Sequence, residues 1–132
     1  MPVTGLHHVL LTVGDVHRSA RFYEDVIGLK RIKEIPEEGA AGHKVLFALP
    51  DGSLLGVVQH SNGEPAHFNE RRIGMDHLAL TVPAEELPDW QQRLHRARVN
   101  YSPPAPSALG EPLIVLRDPD NIQLQIYGRH MP

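Results

Sequence analysis

The chain has 132 residues, 41% hydrophobic and 22% charged, the size and composition of one globular domain able to bury a core. Thirteen Lys and Arg against sixteen Asp and Glu leave a net charge of −3, which excludes the general basic footprint of a nucleic-acid binder. The absence of cysteine excludes a disulfide framework, a thiolate metal site and a catalytic thiol.

No stretch approaches the ~18 apolar residues of a membrane span. His7 and His8 interrupt the apolar run near the start, where a secretory signal would need it unbroken. These features predict a cytoplasmic protein with a small-molecule partner and neither a nucleic acid nor a membrane to bind.

Residues 6–13 are apolar and β-branched and predict a strand. Asp15 stands at an N-cap position before Val16, Ala20, Tyr23 and Ile27 at helical spacing, and Gly28 is the stop. Three short strands follow around 29–35, 43–49 and 54–60, with turns at Gly39-Ala40-Ala41-Gly42 and Pro50-Asp51-Gly52. The order then recurs: a strand over 75–82, and a helix with Leu87, Trp90, Leu94 and Ala97 on one face. Pro88 is tolerable only in a first turn, so that helix begins near Glu85. Pro103, Pro104 and Pro106 mark an irregular loop, and strands are predicted near 99–102, 112–117 and 122–127.

The recurrence has a fixed offset. A shift of 69 residues places Gly5 on Gly74, His8 on His77, Leu11-Thr12-Val13 on Leu80-Thr81-Val82, Pro50-Asp51-Gly52 on Pro119-Asp120-Asn121, and Leu55 on Leu124. The chain therefore divides into two βαβββ modules, 1–63 and 64–132, within a single domain of residues 1–132. The fold class is α+β, with two tandem modules forming curved mixed sheets around a cavity and helices outside.

Alternation along a strand puts His8, Leu10 and Thr12 on one face, and His77, Ala79 and Thr81 on the equivalent face of the repeat. Gly56, Val58 and His60 correspond to Gln125, Tyr127 and Arg129. Sheets curling about one axis would bring His8, Gly56, His77 and Gln125 together, offering two imidazoles and an amide oxygen as a partial metal shell. A lone strand histidine is more often a hydrogen-bonded structural residue; a matched pair in a duplicated unit raises the metal reading. His7 faces away from His8, and His17 and His95 read as helix-surface residues. His43, His60 and His67 are secondary cavity candidates. Arg117 can meet an anionic group or pair with an outer acid, and Tyr127 can donate a hydrogen bond into the cavity. Phe47 and Phe68 are candidate apolar wall. Glu70 is either a substitute carboxylate or the surface partner of an arginine.

The segments His8-Val9-Leu10-Leu11-Thr12-Val13-Gly14-Asp15, Ser19-Ala20-Arg21-Phe22-Tyr23 with Gly28-Leu29, Asp76-His77-Leu78-Ala79-Leu80-Thr81-Val82 and Arg117-Asp118-Pro119-Asp120-Asn121-Ile122-Gln123-Leu124 span nearly the whole chain. Their combination resembles the vicinal oxygen chelate superfamily, which includes glyoxalase I, bleomycin-resistance proteins and extradiol dioxygenases. That resemblance implies a cupped cavity holding a divalent ion (Zn, Ni, Fe or Mn), with metal ligands at His8, His77 and Gln125; Tyr127, Phe47, Arg117 and His60 are the candidate ligand-binding residues of that cavity. It also implies a homodimer.

The family's two acidic positions fall on Gly56 and Gln125. An amide cannot accept a proton at neutral pH, so Gln125 cannot be a general base. The resemblance thus implies a metal-assisted lyase, isomerase or oxygenase with an altered ligand set, not a standard glyoxalase I, and names no catalytic residue. Its alternative is a metal-free protein that binds an antibiotic or metabolite, as bleomycin-resistance relatives do.

Overall fold

Apolar side chains recur at every second residue along most of the predicted strands, and that alternation gives each sheet one face to bury and one to leave open. The computed structural model describes residues 1–37 and 42–130, so residues 39–41 of the first predicted turn lie outside the described residues. Two compact units divide the chain, Met1–Ala66 and His67–Pro132.

The first unit runs β1 (His8–Thr12), α1 (Val16–Arg21) continued by a π-helical turn (Phe22–Val26), β2 (Lys30–Ile35), β3 (His43–Ala48) and β4 (Leu54–Gln59). The sheet order is β1-β4-β3-β2, with β1 parallel to β4 and the other pairs antiparallel. Asp15 caps α1 as expected: its Oδ1 accepts from the backbone N–H groups of His17 and Arg18 at 3.0 and 3.1 Å. Gln59 adds a second cap from β4, its Oε1 accepting from Val16 N–H at 2.9 Å. Gly28 ends the helical run at φ +86°, a conformation that favours glycine. Val16, Ala20, Tyr23 and Ile27 of the helical segment are buried with Leu11, Val45, Phe47, Leu55 and Val57 of the sheet.

The second unit repeats the plan: β5 (Leu78–Pro83), a 3₁₀ turn (Ala84–Glu86), α2 (Leu87–Arg96), β6 (Ala105–Pro106), β7 (Pro112–Arg117) and β8 (Gln123–Arg129). Its order is β5-β8-β7-β6, again with one parallel pair, β5 with β8. The two four-stranded mixed sheets and two helices make the expected α+β architecture. Gly128 matters to this unit because a Cβ there would lie 2.6 Å from Leu87 Cδ1 and 3.0 Å from Ala84 Cα; only glycine admits the helix start so close to β8. Leu87, Leu94, Ile114, Leu116, Leu124 and Ile126 form the core.

One predicted strand is displaced. Instead of a strand over 99–102, Tyr101 makes a single antiparallel bridge to Leu116, and the short edge strand lies at Ala105–Pro106. Pro103 and Pro104 lack the N–H that a continuing ladder needs. No helix of the described residues is long and apolar enough to cross a membrane.

Candidate functional site

The strict alternation of Gln123-Leu124-Gln125-Ile126-Tyr127-Gly128 decides which side chains β8 presents on each face. Leu124 and Ile126 are buried and Gly128 meets Leu87 of α2, so this set faces the helix. Gln123, Gln125 and Tyr127 are half-buried on the opposite face. Cross-strand register extends that face: Ala79 and Val115 flank Gln125, Thr81 and Leu113 flank Tyr127, and Arg117 stands opposite Gln123. His77 immediately precedes β5 and shares the parity of Ala79 and Thr81, with 35% of its side chain exposed.

His77 is not left free to turn. Its Nδ1 lies 2.7 Å from Asp76 Oδ1. An ionised carboxylate only accepts, so Nδ1 carries the proton and Nε2 is the ring nitrogen left to bind something else. This is the arrangement that supports a ligating imidazole from behind. In the sequence the signal for Asp76 is its adjacency to His77.

Glu70 reaches the same face of β8 from the segment before β5. Its Oε1 lies 2.7 Å from Arg117 Nη2 and accepts from Gln123 Nε2 at 3.0 Å. The Arg117 guanidinium, with help from a backbone bond and from Gln123, holds the Glu70 carboxyl down at about 2. Glu70 is thus the partner of an arginine. Arg117 also donates to Asn121 O at 3.1 Å, so its charge is taken up within the unit. Gln125 Nε2 donates to Gln123 Oε1 at 2.8 Å. Phe68, from the same segment as Glu70, is half-buried and tied to the turn before β8: its N–H donates to Asp120 O at 2.9 Å and its carbonyl accepts from Asn121 Nδ2 at 3.0 Å.

In the first unit His8 opens β1 on an exposed face, with its Nδ1 2.8 Å from His7 Nδ1 and the two rings edge to face. Leu10 and Leu46 are the register partners of Gly56. A Cβ at Gly56 would sit 2.5 Å from Leu10 Cδ2 and 2.6 Å from Leu46 Cδ2. The first acidic position of the resemblance is therefore filled by leucine methyls. His60 follows β4, half-buried, with Nδ1 3.2 Å from the place a Cβ on Gly42 would take.

Phe47 requires a correction: it is fully buried on the helix side, 6.3 Å from the Tyr23 ring, and belongs to the core instead of a ligand wall. His43 lies on that side too, its ring edge to face with His17 of α1. Among the described residues no group of three or more His, Cys, Asp and Glu side chains is arranged to hold a metal ion. The shallow groove beside α2, lined by Pro88, Gln91, His95 and Tyr101 among others, contains none of the predicted site residues.

The glyoxalase family description matches residues 5–126, more than nine-tenths of the chain. This chain belongs to the Glyoxalase/Bleomycin resistance protein/Dioxygenase superfamily. It is 24% identical over 128 residues to the uncharacterized protein YwkD of Bacillus subtilis (strain 168), covering 96% of this chain and 98% of YwkD. The crystal structure of a glyoxylase/bleomycin resistance protein/dioxygenase domain from Frankia sp. EAN1pec superposes with a TM-score of 0.85 at 29% identity, covering 97% of this chain and 100% of that one. A variant of the fosfomycin resistance protein FosX from Listeria monocytogenes, complexed with Mn(II) and 1S,2S-dihydroxypropylphosphonic acid, shares the fold at a TM-score of 0.70 and 19% identity, over 97% and 93% of the two chains. This superfamily member has Gly56 and Gln125 where the resemblance leads one to expect acids.

Proposed function

We propose that this superfamily member is a metal-assisted enzyme of the lyase, isomerase or oxygenase type, acting on a small, oxygen-rich, anionic compound. The observation that carries the reading is the Asp76–His77 pair, which leaves Nε2 as the ring nitrogen to bind a ligand, at a position of the same parity as Ala79 beside Gln125. His8, His77 and Gln125 would hold the ion. Two imidazoles and an amide oxygen fit a borderline divalent ion such as Zn, Ni, Fe or Mn. When bound, the ion would supply Lewis-acid stabilisation of a developing oxyanion, and a neutral ligand set leaves it more of its positive charge for that purpose.

The chain's own residues then divide the remaining work. On this reading Tyr127 would donate a hydrogen bond to the ligand, and Val115 and Leu113, register partners of Gln125 and Tyr127, would supply apolar contact. Arg117, its charge offset by Glu70, fixes the end of the face. His60 is the candidate contact from the first module. No proton is taken up at Gln125, so chemistry that needs a carboxylate base at that point is not assigned to this chain. The proposed functional form is a cytoplasmic homodimer.

Metal analysis of untagged protein tests the reading. About one equivalent of divalent metal is expected in the wild type, and roughly tenfold or more weaker retention in His8→Ala and His77→Ala. Equal metal content in all three would overturn it.

A second reading, a metal-free protein that sequesters a metabolite or antibiotic, is favoured by one observation: Leu10 and Leu46 close over Gly56, making that point of the first sheet apolar. A ligand recovered unchanged, with no turnover after metal addition, would select this reading over the enzyme.

A further inference from the structure

We infer that Glu70 and Gln123 are positioning residues that fix which end of the Gln125 amide faces outward from the second sheet. The inference rests on the proposed role of Gln125 only for what its oxygen binds; the orientation itself is a property of the hydrogen bonds. The two ends of a glutamine amide are nearly isosteric, so packing alone seldom chooses between them. Here a charge chooses. Glu70, an ionised carboxylate, can only accept, so Gln123 must turn its Nε2 toward it, at 3.0 Å. That leaves Gln123 Oε1 directed at Gln125, which must answer with its own Nε2, at 2.8 Å. The second amide is then poled like the first, with Gln125 Oε1 left as the outward acceptor. Inverted, Gln125 would offer N–H groups, which repel a cation.

Two anchors keep the relay in register. Arg117, opposite Gln123 on β7, contacts Glu70 at 2.7 Å. Phe68, two residues before Glu70, is bonded at both its N–H and its carbonyl to the turn that leads into β8. The acid in this site therefore acts as a fixed pole for a neutral ligand, and need not touch a metal.

Three variants and two readouts test the inference. Side-chain ¹⁵N–¹H spectra follow the Gln125 amide directly, without any metal, while Zn(II) titration against a chelator reports affinity. In the wild type, slowed exchange of a Gln125 Nε2 proton is expected; Glu70→Gln and Gln123→Leu should both remove that protection and weaken Zn(II) binding roughly tenfold. Gln123→Leu leaves the Glu70–Arg117 pair in place, so it separates the relay from the ion pair. Glu70→Gln in a Gln125→Glu background should leave Zn(II) affinity unchanged or tighter, because Gln123 is then free to turn its N–H groups toward the new carboxylate. Equal losses in both backgrounds, or a Gln125 amide signal unmoved by Glu70→Gln, would overturn the inference. Failure of the wild type to bind Zn(II) would overturn the metal reading instead, and the amide spectra would still decide this one.

Discussion

Asp76 and Gly56 illustrate opposite ways in which one residue shapes the site. Asp76 holds Nδ1 of His77 at 2.7 Å, settling which ring nitrogen remains available. Removing a partner that stands behind a metal ligand typically weakens the metal ~10–100-fold while leaving the ligand itself in place. On the proposed function, with His77 as a ligand, Asp76→Ala is therefore expected to lower metal affinity by about an order of magnitude with little change in thermal midpoint, since Asp76 is an exposed residue outside the core; chelator competition alongside a melting curve checks both parts. A parallel fall in affinity and midpoint would mean that the residue serves the fold instead. At Gly56 the effect is exclusion. Leucine methyls occupy the position, so replacing glycine by an acid would first have to displace Leu10 and Leu46, and cannot restore a ligand by itself.

Among the elements, α1 shows how a short helix is held from outside its own sequence. Its six residues are too few for stability through propensity alone, and its start is secured twice, by Asp15 and by Gln59 Oε1. Asp15→Ala removes one of these acceptors and is expected to cost about 1 kcal/mol, read as a lower urea midpoint with an unchanged slope. The cap and the Gly28 stop were readable from the sequence because each depends on residues within one turn. The displaced strand near 99–102 was not, because Val99 and Tyr101 have strand character while the prolines just beyond decide where pairing can continue. Phe47 was misplaced for another reason: β3 carries apolar residues on both faces, Val45 and Phe47 against Leu46 and Ala48, so its pattern does not disclose which face is buried. At the candidate site, strand parity is enough to put Gln123, Gln125 and Tyr127 on one face of β8. The Glu70–Gln123 contact joins residues 53 apart through side-chain ends, which no local pattern encodes.

At the scale of the whole molecule, four carboxylates among the described residues have their acidity shifted in the same direction. Asp15 is lowered chiefly by the Arg18 backbone N–H, Asp51 by the Ser53 hydroxyl, Glu111 by Arg129, and Glu70 to about 2 by Arg117. Each of these groups binds its proton more weakly in the folded chain than in the unfolded one. Between the ordinary values of 3.8 and 4.5 and the depressed ones, the unfolded chain therefore holds more protons, and stability must rise with pH there. Their stabilisation is complete above the unfolded values and is lost as pH falls through the folded ones. Circular-dichroism melts should accordingly show little pH dependence from these groups above about pH 5, where their contribution is complete, and a falling midpoint below it. Glu70 titrates at about 2, so its share should be the last to go. Glu70→Gln is expected to melt lower than the wild type near neutrality and to converge with it as the pH approaches 2. Parallel curves down to the most acid point would show that the Arg117 pair contributes nothing to folding, and would confine Glu70 to its role on the face of β8.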